Sequence, residues 1–148
     1  MDDVITTLDK YPIPKDSLDM EITEGIVIQR VDDAIATMST LSEHGISFSL
    51  DDFGTGYSSI SYLNRLPVST LKIDKGFVRD IIEDRNDRVL VETIITMGRL
   101  LDMELVAEGV EETEQLAILK SFGCDYYQGY LSSQPVPIEK FETFLDSK

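Results

Sequence analysis

The 148-residue chain has one cysteine, one histidine and 13 basic residues against 28 acidic ones, and no apolar run comes near the length of a membrane span. With only Cys124, no intrachain disulfide can form, which fits a reducing, cytoplasmic setting. Cys124 is also a poor candidate nucleophile, because the one histidine, His44, falls at an expected helix end with nothing to bring the two together. A membrane helix needs roughly 20 apolar residues, so none is expected. The N-terminus, MDDVITTLDKY, is acidic and lacks the apolar stretch of a secretion signal. The net charge of −15 argues against a broad basic surface for DNA or RNA. It leaves open a phosphorylated ligand, provided a metal ion reverses the local sign.

What is present is an ordinary globular composition, 42% hydrophobic and 28% charged, in a length suited to one domain over residues 1–148. Residues 1–16 read as a helix remnant and a loop carrying Pro12 and Pro14. Leu18–Glu24 alternates as a strand, and Gln29–His44 has helical spacing ended by Gly45. A second strand begins near Ile46 and runs into FSLDDFGTGYSSISY, residues 48–62, followed by a short amphipathic run over Ser58–Leu66. Thr70–Ile73 is a third strand, Asn86–Leu101 a helix, Glu104–Ala107 a fourth strand and Glu114–Phe122 a helix. A fifth strand is placed near Tyr126–Leu131, and Ile138–Leu145 is the last helix, with Pro137 at its start. No hairpin turn joins neighbouring strands, so the pattern predicts an α/β fold with a parallel sheet and helical crossovers.

Each strand ends in a chemically capable side chain: Glu21, Asp51, Lys72, Glu108 and Gln128. Parallel α/β folds build their sites on that edge. The adjacent acids Asp51 and Asp52 repel one another and have no basic neighbour in sequence. A hard divalent cation would relieve them; the alternative is a turn in which Asp52 caps the following helix.

The stretches Glu21-Ile22-Thr23-Glu24, Asp51-Asp52-Phe53-Gly54-Thr55-Gly56-Tyr57-Ser58-Ser59, Leu71-Lys72-Ile73-Asp74-Lys75, Ala107-Glu108-Gly109-Val110-Glu111 and Gln128-Gly129-Tyr130, in this order, closely resemble the EAL family of cyclic di-GMP phosphodiesterases. The resemblance implies a TIM-type barrel, here an incomplete one of about five strands, and bacterial signalling through hydrolysis of cyclic di-GMP to pGpG with Mg²⁺ or Mn²⁺. It implies metal ligation by Glu21, Asp51 and Asp52 and catalysis by Glu108 as general base, with Lys72 and Gln128. Glu24 would tether the loop of Gly54, Thr55, Gly56 and Tyr57, which in the family couples the site to dimerisation, and Asp74 and Glu111 would support the site from behind. A homodimer with cyclic di-GMP as ligand or substrate is the implied assembly.

The chain also departs from the family. The Glu-Ala-Leu triad is absent, as is the next strand, with its metal-binding asparagine. A TIM barrel has eight strands in typically ~250 residues, so the chain resembles the C-terminal portion of such a domain. Ser132-Ser133-Gln134 stands where the family usually has an aromatic and a basic residue before the proline. Three functions follow: a phosphodiesterase site, impaired in these residues alone; a non-catalytic module for partner binding or dimerisation; or an enolase-like metal enzyme, against which Asp51-Asp52-Phe53-Gly54 speaks. An incomplete barrel is also expected to leave two sheet edges and an apolar interior face uncovered.

Overall fold

The computed structural model describes residues 2–11, 13–15, 17–25, 30–54 and 60–145. Helix α1 (Asp2–Lys10) precedes strand β1 (Leu18–Thr23), and α2 (Val31–Glu43) leads through Gly45 into β2 (Ile46–Phe53). The short α3 (Ile60–Leu63) precedes β3 (Thr70–Ile73), and α4 (Lys75–Arg79) follows it directly. Helix α5 (Arg85–Leu100), β4 (Glu104–Glu108), α6 (Thr113–Phe122), β5 (Tyr126–Gln128) and α7 (Ile138–Leu145) complete the order. The five strands pair in sequence order, all parallel, as one sheet. Each crossover returns the chain to the same edge, so the five strand ends are neighbours.

The sheet has two unlike faces, because side chains alternate along a strand and stay aligned across a parallel ladder. One face carries Phe48, Leu50, Leu71, Ile73, Leu105 and Ala107, all buried, and packs on helices through Val78, Val91, Ile94, Ile95 and Leu119. The other carries Asp19, Ser47, Ser49, Thr70 and Glu104, aligned strand to strand. The interior face expected to be apolar is instead mostly polar in these strands: Val106 and Tyr126 are its larger apolar side chains, and the Ser49 hydroxyl donates to Asp19. Both edges are open among the described residues, since β1 pairs only with β2 and β5 only with β4.

Three local features depart from the expected pattern. β5 stops at Gln128, three residues short of Leu131, because the chain turns at Gly129. Helix α4 has only five residues, too few for a period to register; Asp74 starts it by accepting the Gly76 N–H at 2.9 Å. β2 carries a bulge between Leu50 and Phe53, which pair with Leu71 and Ile73 respectively. Within it Asp52 has φ 55 and its N–H donates to Asp51 Oδ1 at 3.0 Å. Aspartate tolerates this left-handed conformation better than most residues.

Candidate functional site

Lys72 is the centre of the C-terminal edge. Strand alternation puts it on the polar face between Leu71 and Ile73, and its neighbours β2 and β4 flank it with acids. Its ammonium lies 2.7 Å from Glu21 Oε1, 2.7 Å from Glu108 Oε1 and 3.4 Å from Asp51 Oδ1. One cation thus gathers carboxylates from three other strands. Its side chain is only 8% exposed, against 54% for Glu21, 21% for Asp51 and 19% for Glu108. Burial alone would lower the lysine pKa, but hydrogen bonds to Glu108 and Glu21 and the charges of Glu108 and Asp51 outweigh it and hold it above the ordinary lysine value. The proton stays on Lys72 at every physiological pH, so it acts here as a fixed positive charge and not as a base.

Four expected site residues therefore meet: Glu21, Asp51, Lys72 and Glu108. Gln128 is aligned with Glu108 across the β4–β5 ladder and is exposed at the open edge. Asp52 adjoins the cluster on the bulge. Glu24 is buried at 2% exposure just after β1, and the Tyr62 hydroxyl donates to its Oε1 at 2.8 Å. Tyr62 belongs to α3 (Ile60–Leu63). Gly54 packs near Phe77 and Ile94; Thr55, Gly56 and Tyr57 lie outside the described residues. Asp74 caps α4 and Glu111 is exposed.

Two residues escaped the sequence reading. Tyr62 gave no local signal, since its partner is 38 positions away. Gln115 is 3% exposed and receives the N–H groups of Glu111 and Glu112 at 2.8 and 3.0 Å. Its spacing after Glu112 is the E-x-x-Q of a helix start, which could have flagged it.

Three carboxylates on this edge share a single ammonium, with the Gln128 amide beside them. That set has the chemistry a hard divalent cation requires. Among the described residues no group of three or more His, Cys, Asp or Glu is arranged to hold a metal. Glu21 and Asp51, converging on one point from adjacent strands, fit as two ligands of such an ion, with further oxygens needed to complete it. Among the described residues no helix is long and apolar enough to cross a membrane.

A sequence model of the family described as "EAL domain" matches residues 1–135. The chain is 41% identical over 145 residues to the cyclic di-GMP phosphodiesterase NbdA of Pseudomonas aeruginosa, covering 98% of this chain and 18% of that protein. It is 42% identical over 139 residues to the signaling protein YkoW of Bacillus subtilis, covering 94% and 17%. Among solved structures it superposes on the PaMucR phosphodiesterase in complex with c-di-GMP with a TM-score of 0.90 at 40% identity, over 95% of this chain and 57% of that one. On the EAL domain of Mycobacterium smegmatis DcpA the TM-score is 0.90 at 36% identity, over 99% and 66%. The chain thus spans less than a fifth of those two curated relatives and under two thirds of each of those two solved chains.

Proposed function

The chain belongs to the EAL-domain family, and from that membership we propose that it carries part of a cyclic di-GMP phosphodiesterase site, hydrolysing one phosphodiester bond to give pGpG. The observation that carries the reading is the Lys72 ammonium shared by Glu21, Asp51 and Glu108, which brings together the ends of four of the five strands. Enzymes of this family are metal-dependent, and Glu21, Asp51 and Asp52 are the residues proposed to hold Mg²⁺ or Mn²⁺. Such an ion supplies a water of lowered pKa and positive charge near the leaving oxygen.

The chain's own groups divide the remaining work. Glu108 is proposed to accept the proton of the attacking water as its oxygen bonds to phosphorus. Lys72 supplies fixed positive charge to the phosphoryl oxygens as the transition state builds. Gln128, beside Glu108 in the ladder, orients the water through its amide. The bond from phosphorus to the 3′ oxygen breaks, and that oxygen takes a proton from solvent water to become the new 3′ hydroxyl.

With few protein ligands of its own, Glu21, Asp51 and Asp52, a metal would be held loosely, and positioning would suffer. The 148 residues on their own are therefore proposed to turn over slowly, below ~1 s⁻¹. A homodimer belongs to the same proposal, supported by the open β1 and β5 edges, as does a cytoplasmic setting, supported by the single cysteine. Light scattering reads the mass directly.

The test is chromatographic detection of pGpG from cyclic di-GMP with Mn²⁺ or Mg²⁺, for the chain and for Glu108→Ala. Slow product formation that chelation and the substitution both abolish is the expected result. Equal rates from the two proteins would overturn it. Calorimetric binding without turnover favours the non-catalytic reading.

A further inference from the structure

Gln115 is hydrogen-bonded to the loop after Glu108 and to the end of α4, the two segments that flank the Lys72–Glu108 pair. Its Oε1 accepts from the N–H groups of Glu111 and Glu112, in the loop that follows Glu108. Its Nε2 donates to the carbonyls of Val78 and Arg79, each at 3.2 Å, at the end of α4. That helix starts at Lys75, three residues after Lys72. An amide has two donors and one oxygen with two lone pairs, so the whole capacity of this buried side chain is spent on joining one loop to the other.

Starting helix α6 needs only the acceptor half. A glutamate at this position would serve it as well as a glutamine. The donor half has no part in helix α6, and its targets are 37 and 36 positions away in sequence. The two segments press closely where the amide joins them. A Cβ on Gly109, which has φ +66, would stand 2.6 Å from Lys75 Cβ. On the opposite flank Val110 donates to the Gln128 carbonyl at 3.1 Å, and a Cβ on Gly129 would stand 2.1 Å from the Val110 oxygen. Beyond the β3–β4 ladder, which pairs Ile73 with Ala107, the loop after Glu108 is held to the β5 side by backbone hydrogen bonds and to the end of α4 by the Gln115 amide.

We propose that Gln115 is a positioning residue for the site: its amide donors lock the Glu108 loop onto α4 and so set the Lys72–Glu108 pair. The functional part of this rests on the phosphodiesterase reading; the structural part does not.

The test compares the chain with Gln115→Glu, which keeps the acceptor and loses both donors at neutral pH, and Gln115→Met, which loses all four bonds. The first readout is the Lys72 side-chain ammonium resonance in ¹⁵N NMR, which is visible only when the group is buried and held. The wild type is expected to show it. Both variants are expected to lose it through exchange while keeping the wild-type circular dichroism. A Gln115→Glu protein that retains the resonance would reduce Gln115 to a helix cap and overturn the proposal, and so would its absence from the wild type. Should Gln115→Glu fail to fold, Gln115→Met decides by the same resonance. The second readout is single-turnover hydrolysis, expected to fall ~10–100-fold in Gln115→Glu, as for a displaced catalytic group, with cyclic di-GMP affinity within about twofold. A wild type that neither binds nor hydrolyses the dinucleotide overturns the phosphodiesterase reading alone, and the ammonium readout still judges the lock.

Discussion

Leu71 and Lys72 are adjacent on one strand and buried to nearly the same degree, at 0% and 6% exposure, yet they belong to different regimes. Leu71 faces the helices, where each neighbour is another apolar side chain and any well-packed group of similar volume would serve. Lys72 faces the polar side, where three specific carboxylates surround it and an apolar replacement would leave them unpaired. The helix-covered face makes the sheet; the polar face carries the proposed site. The comparison teaches that burial alone does not mark a residue as structural: what the buried atom touches decides.

The largest expected effect breaks the apolar face. Leu71→Ala should lower the unfolding free energy by about 2–5 kcal/mol, through lost transfer energy and the cavity left behind, as read by urea denaturation. A loss under ~1 kcal/mol would mean the two faces are less distinct than their packing implies. Lys72→Met sharpens the contrast from the other side. Its stability loss should be smaller, about 1–2 kcal/mol, because water still reaches Glu21, Asp51 and Glu108. Its hydrolysis of cyclic di-GMP should fall at least ~100-fold, about 2.7 kcal/mol of transition-state stabilisation.

Tyr62→Phe tests the buried hydrogen bond from the Tyr62 hydroxyl to Glu24. Removing the hydroxyl deprives the Glu24 carboxylate of one donor and should cost about 1–2 kcal/mol, measured by thermal unfolding. The smallest effect belongs to Cys124. Burial, chiefly, pushes its thiol pKa up to about 11, from an ordinary 9.0. The folded state therefore holds this proton more tightly, and the stability it brings is complete below pH 9.0 and is lost as pH rises through about 11. Cys124→Ala should flatten stability against pH over that window. The wild-type thiol should react slowly with iodoacetamide at pH 8, where about one molecule in a thousand carries thiolate.

The strands and long helices were legible because their periods of two and 3.6 are written in side chains such as Met20, Ile22, Phe48 and Leu50, or Ile94 and Leu101. The edge acids and Lys72 were legible for the same reason: each sits where an alternating pattern ends. That Lys72 would gather Glu21, Asp51 and Glu108 to itself was not, because strand-to-strand register depends on the crossovers. Alternation showed polar residues such as Asp19 and Ser47 opposite the apolar ones, yet an apolar interior was expected by analogy with a closed barrel. Helix α4 was too short for a period, and the bonds of Gln115 end on carbonyls, which any residue type supplies.

The bulge in β2 carries one more implication. Three steps along β2, from Leu50 to Phe53, answer two along β3, from Leu71 to Ile73. A strand without the extra residue keeps strict time, so two consecutive acids would fall on opposite sides and the second would enter the oil. Here the beat is skipped once: Phe53 still reaches the core, at 3% exposure, and neither aspartate has to. In the language of sequence change, Asp52 is an insertion that the sheet can do without. Deleting it would restore an unbroken ladder, Leu50–Asp51–Phe53 against Leu71–Lys72–Ile73. The aspartate pair is thus a departure from the simplest strand this fold could have used, kept at the place where its edge meets the site.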